Sequence, residues 1–330
     1  MSKHSSHQRP LSIAALFSSS SEDRPGLAAT MMVGSLCMLA FQDSLVKLIS
    51  SDVSLWQYQF LRSLFNIGFL IILTKFVWGT RGLKPKSFRA VLLRSVFLGI
   101  GMSLFFGGIP FLSLSSVAAG LYVFPLFVAV MSGVVLGEKV GPRRVVAIAL
   151  GFTGTVLILK PGTDAFELVG LMPIGAAFFY ALTILTTRKI CREESPVTLT
   201  FAVSFVFIIM GSTGLMTFSG GTFPDQAASW PYLFTGWNPI GIGILGIVLA
   251  CSLLNMFATI GLAKAYQNAE SSWLAPFDYS YLIFATFWGV VMWDDLPDLW
   301  SFVGMALIAG AGMYVAWRER LESQNEMKTN

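Results

Sequence analysis

The sequence predicts an all-α polytopic membrane protein, with ten transmembrane helices arranged as two inverted five-helix repeats. Three observations lead there. The 330-residue chain holds repeated apolar runs, with 55% hydrophobic and only 12% charged residues; a soluble domain carries about 25% charged residues. Its lysines and arginines gather on alternate connections between those runs. Its second half also repeats, weakly but in order, features of its first.

A spanning helix needs about 20 mostly apolar residues. Ten runs qualify, near 27–48, 55–78, 90–112, 117–136, 143–160, 168–188, 197–218, 240–262, 271–292 and 299–317. None alternates as a β-barrel strand would, so all read as helices. Residues 1–26 are serine-rich and read as a disordered cytoplasmic tail. A cleaved signal peptide fits less well, because LSIAALF is short for an apolar signal core. Residues 318–330 form a cytoplasmic C-terminal tail.

Orientation follows from the basic residues. With the N-terminus in the cytoplasm, the inner connections hold Lys84, Lys86 and Arg89, then Lys139, Arg143 and Arg144, then Arg188, Lys189 and Arg192. The outside keeps only Lys47 and Lys160, both at helix ends. The stretch from Ser219 to Pro239 has no basic residue and carries Trp230 and Trp237, as an outer interfacial loop would. The expected setting is the inner (plasma) membrane, with both termini cytoplasmic.

The repeat is five helices long. SPVTLTFAVSFVF from Ser195 lines up with SDVSLWQYQFLRS from Ser51. Pro125 has a counterpart in Pro276, the loop GEKVGPRR in WDDLPD, and IALGFTG in ALIAGAG. An odd count turns the second copy over, which gives units at 27–160 and 161–317 with a substrate site between them near mid-membrane. The two loops agree with that inversion: the basic GEKVGPRR faces inward, and WDDLPD, with Asp294, Asp295 and Asp298, faces outward.

Several function classes drop out. The net charge of +4 does not imply nucleic acid, because the basic residues sit between apolar segments. Cys37, Cys191 and Cys251 show no disulfide or zinc spacing. His4 and His7 both lie in the N-terminal tail, so a bis-histidine haem and an HExxH zinc site are excluded. No metal or cofactor is implied. Without a GxxxxGK[ST] motif, this chain alone is not expected to be ATP-driven.

Pro125 followed by Gly137-Glu138, the glycine-rich fifth run, and Pro276-Phe277-Asp278-Tyr279 followed by WDDLPD together resemble drug/metabolite transporters of the EamA type. The resemblance covers most of residues 27–317. Asp43-x-x-x-Lys47 followed by Gln59-Phe60-Leu61-Arg62 is similar to a subgroup that includes bacterial riboflavin and S-adenosylmethionine uptake proteins. The second half departs from the family pattern at Trp293-Asp294-Asp295, where a Gly-Glu pair is usual. The resemblance implies two inverted five-helix bundles with alternating access to a central cavity. It implies a secondary transporter of a small organic metabolite; the coupling ion, proton or sodium, and the choice between monomer and homodimer in the bilayer stay open in the sequence. Uptake of riboflavin, S-adenosylmethionine or a similar solute is the narrow expectation; export of amino acids or toxic metabolites is the alternative.

Asp43 and Arg62 are expected at matching depth on neighbouring helices, roughly 8–11 Å below the outer surface. Lys47 follows Asp43 by one turn. The three form either a structural ion cluster, with Lys47 snorkelling outward, or an outer gate or substrate contact. Asp278 lies on the cytoplasmic half of the ninth run. It reads as a protonation site or a counter-charge for a cationic substrate, or else as a wetted carboxylate bonded to Tyr279 or Tyr281. Arg94 and Lys264 are its candidate basic neighbours. Pro125 and Pro276 are expected helix breaks. Tyr122, Trp273 and Phe277 flank them, and Gln42, Gln57, Gln59, Tyr180, Tyr281 and Asn255 add hydrogen-bonding groups. Planar aromatic walls suit a ring such as a flavin or adenine, although the same residues serve ordinary packing. The pairs Gly151/Gly154 and Gly310/Gly312 let helices approach closely.

An intramembrane enzyme is not expected, since Asp43 and Asp278 differ in depth by roughly 15 Å and cannot act as a dyad. No repeated pore loop or charged ring suggests a channel.

Overall fold

The computed structural model describes residues 25–75, 85–135, 142–160, 168–221, 223–269 and 271–329. Their secondary structure is helical, with no strand among the described residues. The helices are α1 (Pro25–Ile49), α2 (Leu55–Leu73), α3 (Phe88–Gly108), α4 (Leu114–Leu121), α5 (Phe124–Val135), α6 (Pro142–Leu159), α7 (Leu171–Ile190) and α8 (Pro196–Phe218). Two short helices follow, α9 (Pro224–Ser229) and α10 (Pro231–Phe234), then α11 (Ile242–Asn268), α12 (Ser271–Asp278), α13 (Ser280–Trp293) and α14 (Leu299–Thr329).

Local chemistry sets the helix starts. Ser54, Ser113 and Ser195 cap α2, α4 and α8, accepting from the backbone N–H of Gln57, Ser116 and Thr198. Helix α2 therefore begins after Ser54, three residues beyond the Ser51 that aligns with Ser195 in sequence. Ser87, before α3, makes no such cap. The N–H groups of Lys86 and Ser87 instead donate to the Glu194 carboxylate at 3.1 and 2.8 Å, placing an acid at the positive end of the helix.

Eight segments are long and apolar enough to cross a membrane. Two of the ten expected runs fall short of that measure. Helix α2 has 19 residues, but Gln57, Gln59, Arg62 and Asn66 lower its hydropathy. The apolar part of α6 is only Val145–Leu159.

The fourth and ninth runs are each split in two. The first break falls at Tyr122 and Val123, between α4 and α5; the second falls at Tyr279, between α12 and α13. Neither is centred on its proline. Pro125 is the second residue of α5, where a missing N–H costs nothing, and Pro276 lies inside α12. Helix α14 runs on to Thr329, so the polar tail expected over 318–330 continues the helix. The readings for residues 1–24 and for Gly137, Glu138 and Lys139 fall outside the described residues.

Packing pairs α1 with α11 and α3 with α7. It also pairs α1 with α13, and α7 with α4 and α5; α2 with α11, and α3 with α8. The remaining large contacts are α2 with α8, α6 with α14 and α4 with α13. One continuous apolar core includes Met32, Val46, Phe106, Leu126, Leu274 and Ile308.

The α6–α14 contact depends on two glycines. A Cβ on Gly154 would stand 2.6 Å from the Gly304 carbonyl oxygen, and one on Gly304 would stand 2.6 Å from that of Gly154. Backbone cannot yield as a side chain can. The partner across from Gly154 is thus Gly304. Gly312 instead leaves room for the Tyr279 hydroxyl, and Gly310 meets nothing within 4 Å. Gly154→Val should destabilise the folded protein by ~2–3 kcal/mol through overpacking. Gly310→Ala should leave it unchanged or stabilise it by up to ~1 kcal/mol. Thermal melts in detergent would show the contrast; equal melts would mean that the close approach contributes nothing.

Candidate functional site

The site is built where the two broken runs cross. Tyr122 closes α4 and Tyr281 lies in the first turn of α13. Their rings stack, with centroids 5.4 Å apart and planes 15° from parallel. The Tyr281 hydroxyl donates to Asp43 Oδ2, and Gln42 Nε2 donates to Asp43 Oδ1 at 3.1 Å. At the other end, the Tyr122 hydroxyl reaches Asp278 Oδ1 at 3.5 Å, the long limit of a hydrogen bond. A chain of four side chains, Asp43–Tyr281–Tyr122–Asp278, thus joins the first half of the sequence to the second. Tyr279 leans on Tyr122 at 5.4 Å, and Phe124 and Tyr180 meet edge to face at 4.9 Å. Trp273 and Phe277 pack together one turn away on α12, at 5.0 Å.

The breaks explain this convergence. A continuous helix would carry its side chains past one another on one cylinder. Splitting it lets Asp278 end one half-helix while Tyr281 opens the next.

The expected Asp43–Lys47–Arg62 cluster does not form. Among the described residues Asp43 has no ion pair, although Arg62 lies within electrostatic reach of it. The buried Arg62 guanidinium packs among aromatic faces, 4.6 Å from Phe106, 5.3 Å from Tyr58 and 5.4 Å from Phe207, a cation–π arrangement. Lys47 turns outward, since its long stem reaches the loop after α13. Its ammonium donates to the Leu112 carbonyl at 2.8 Å, pairs with Asp295 at 3.3 Å and lies 5.1 Å from the Trp293 ring centre. Asp294 adopts a left-handed backbone (φ 55°) at the end of α13, a conformation that aspartate tolerates. That turn presents Asp295 to Lys47.

Lys160 does the same at the end of α6, pairing with Asp298 at 2.7 Å. The acidic loop thus holds both lysines expected on the outside. The Lys160 hydrogen bond, assisted by Ser301, holds the Asp298 carboxyl down to about 2. A lowered carboxylate contributes above its unfolded value of about 3.9 and is lost as pH falls through its folded value. The Lys160–Asp298 tie should therefore persist at pH 5 and above and weaken only between about pH 4 and 2. Carboxyl chemical shifts of Asp298, followed by NMR, would test this; a midpoint near 4 would show that the pair is not formed.

Other expected contacts resolve differently. Asp278 takes its hydrogen bond from Tyr122 rather than from Tyr279 or Tyr281, and Arg94 Nε bonds Thr187 Oγ1 at 3.2 Å. Gln59 donates to Ser103 at 3.0 Å. Gln57 exchanges two bonds with the Asn238 backbone, 2.9 and 3.1 Å, and ties α2 to the segment before α11. Among the described residues the Asn255 side chain makes no hydrogen bond; its backbone carbonyl accepts from Thr259. Cavities of about 210 and 470 Å³ lie apart from the four-residue chain, the first beside Ser116 and Thr155, the second between α6 and α14. No group of metal-ligating side chains is found among the described residues.

Sequence reasoning missed several neighbours of Arg62. Tyr58 lies one turn before it on α2, an i, i+4 signal that was available. Phe106, Phe207 and Tyr232 come from distant segments with no local signal. Ser252 donates to the Arg62 carbonyl at 3.2 Å, and the Cys251 thiol lies 3.9 Å from the Gln42 carbonyl.

A crystal structure of a protein 17% identical to this chain superposes with a TM-score of 0.57, covering 88% of this chain and 96% of that one; the likeness is one of fold. A riboflavin transporter of Vibrio cholerae is 30% identical over 247 residues, 74% of this chain and 77% of that protein. A riboflavin transporter of Rhizobium johnstonii is 27% identical, covering 82% of each chain. An S-adenosylmethionine uptake transporter of Rickettsia prowazekii is 22% identical, covering 87% of this chain and 91% of its own. The profile of the EamA-like transporter family matches residues 26–160. With that match and a 30% identical relative spanning most of its length, the chain belongs to the EamA-like transporter family.

Proposed function

We propose that this protein is a secondary carrier that takes up a flat, nitrogen-containing ring solute of the riboflavin type by alternating access. The observation that carries the reading is the Tyr122–Tyr281 stack, which joins Asp43 of the first half to Asp278 of the second. Stacked rings at the crossing of two broken helices suit a planar ligand. The names of the relatives, riboflavin transporter and S-adenosylmethionine uptake transporter, favour the same class.

Ten spans in two inverted repeats complete the proposal. The helix pairing supports it. Exchanging the first five runs for the last five turns α1–α11 into α7–α3, α1–α13 into α7–α5, and α2–α11 into α8–α3; α2–α8, α6–α14 and the contact between the fourth and ninth runs map onto themselves. A two-fold relation between the halves produces that pattern. Lysine and arginine placement favours both termini in the cytoplasm of a cell whose plasma membrane holds the carrier. The pairs Lys47–Asp295 and Lys160–Asp298 then close the outer side in this conformation.

Counterflow of radiolabelled riboflavin into proteoliposomes tests the function: saturable exchange is expected, and flux linear in concentration would point to a channel. The outer closure is tested separately. Lys47→Ala with Lys160→Ala should raise labelling of Cys251 by a membrane-impermeant thiol reagent, applied from outside, by roughly tenfold, given two ion pairs of ordinary strength. Unchanged labelling would remove the gate from the account.

A further inference from the structure

Buried side chains with unpaired polar atoms are few in folded proteins, and each one needs a reason. Among the described residues, half of those in this protein belong to Arg62 and four side chains near it. Its own Nε is unpaired, as are the Tyr232 hydroxyl and the Oε1 atoms of Gln42 and Gln59, and the Tyr58 hydroxyl has only the Cys251 thiol beside it. These are not surface groups. Tyr58 and Gln59 are 0% exposed, Gln42 1%, Tyr232 3% and Arg62 4%. They come from three places in the chain. Tyr58, Gln59 and Arg62 share a face of α2; Gln42 is bonded to Asp43 on α1; Tyr232, on α10, lies within electrostatic reach of Arg62 and Tyr58. The rings of Phe106 and Phe207 wall the guanidinium.

We infer that these groups form the recognition site for a neutral ring edge in which a carbonyl and an N–H stand side by side, as in a cyclic imide. The inference rests on the uptake reading above and names the part of the solute that is read. The donor and acceptor inventory decides the class. Arg62 Nε–H can only donate, a glutamine Oε1 can only accept, and a tyrosine hydroxyl does either. An anion would call for donors throughout, and the two glutamine oxygens would repel it. A cation would be repelled by Arg62. Asp43 lies near Arg62 without pairing with it. Both oxygens of Asp43 are already engaged, by Tyr281 and Gln42, which leaves no free carboxylate for an ammonium group. A mixed set between aromatic walls matches a flat neutral ring that presents acceptor and donor together. The imide of an isoalloxazine ring has that edge, an N–H between two carbonyls; the adenine of S-adenosylmethionine also sets a donor beside an acceptor but has no carbonyl.

The test uses the full-length protein in proteoliposomes. The probes are riboflavin and 3-methylriboflavin, which keeps the rings and both carbonyls but lacks the imide N–H. The wild type should carry riboflavin with a KM at least about tenfold lower than that for the methylated compound, the discrimination expected when a site built for an N–H meets an analogue without it. Arg62→Lys keeps the charge but loses the planar donor; it should raise the riboflavin KM about tenfold or more. Gln59→Met or Gln42→Met, whichever accepts the N–H, should bring the two KM values together. Thermal melts of each variant report folding, and if a variant fails to fold, the wild-type comparison decides alone. Equal KM values for the two flavins in the wild type overturn the inference and leave riboflavin uptake standing. Riboflavin uptake unaffected by Arg62→Lys also overturns it. Carriage of S-adenosylmethionine with no carriage of riboflavin overturns the inference and the uptake reading together.

Discussion

Asp43→Ala is expected to lower riboflavin uptake at least about a hundredfold while leaving a protein that still inserts and purifies. Three effects add. The Tyr281 hydroxyl loses its acceptor and so does Gln42 Nε2. Arg62 loses a carboxyl group within electrostatic reach. Leaving a buried donor without its acceptor costs ~1–3 kcal/mol, and two donors are left so. Asp43→Asn keeps an oxygen for Tyr281 but removes the charge, and should fall between. Tyr281→Phe keeps the stack on Tyr122 and loses one bond to a charged group; a loss of about tenfold follows from ~1.5 kcal/mol. Initial rates in proteoliposomes, normalised to folded protein, give all three. A drop of less than twofold for Asp43→Ala would mean that the four-residue chain is not used in transport.

The second large effect is expected at Asp278. This carboxylate ends α12, accepts one bond from Tyr122, and lies in a segment apolar enough to span the bilayer. Intramembrane carboxylates in carriers commonly move protons. Asp278→Asn should abolish uphill uptake driven by a proton gradient, at least about tenfold, while exchange of internal for external solute continues. The wild-type rate should depend on pH and the variant rate should not. The split separates coupling from binding: if both activities fall together, Asp278 serves the solute or the fold; if neither falls, another group carries the proton or the coupling ion is different.

Much of the helix order was legible because apolar length alone encodes it. The run near 197–218 is α8, Pro196–Phe218, and the run near 90–112 is α3, Phe88–Gly108. Helix breaks were legible only approximately. Prolines mark where a helix can yield, but the breaks fall at Tyr122 and Tyr279, positions set by the crossing of α4 and α13 and by the space that Gly312 leaves for Tyr279. Pairings were the least legible. Asp43 and Lys47, one turn apart, looked like natural partners. Lys47 instead pairs with Asp295, 248 residues away, and Asp43 with Tyr281, 238 away. Helical spacing predicts neighbours on one cylinder; it carries nothing about which cylinder comes to lie beside it. The aromatic setting of Arg62 was hidden for the same reason, since Phe106 and Phe207 come from α3 and α8.

The most direct measurement asks which side of the membrane each half begins its third helix on. Helices α3 and α11 hold equivalent places in the pairing pattern, one in each half. Phe88→Cys, at the start of α3, and Gly241→Cys, just before α11, are both exposed positions. On intact cells an impermeant maleimide should label the cysteine at position 241 and not the one at 88; after permeabilisation both should react. Labelling of both from the same face would mean that the second half is not turned over, and the carrier mechanism would lose its basis.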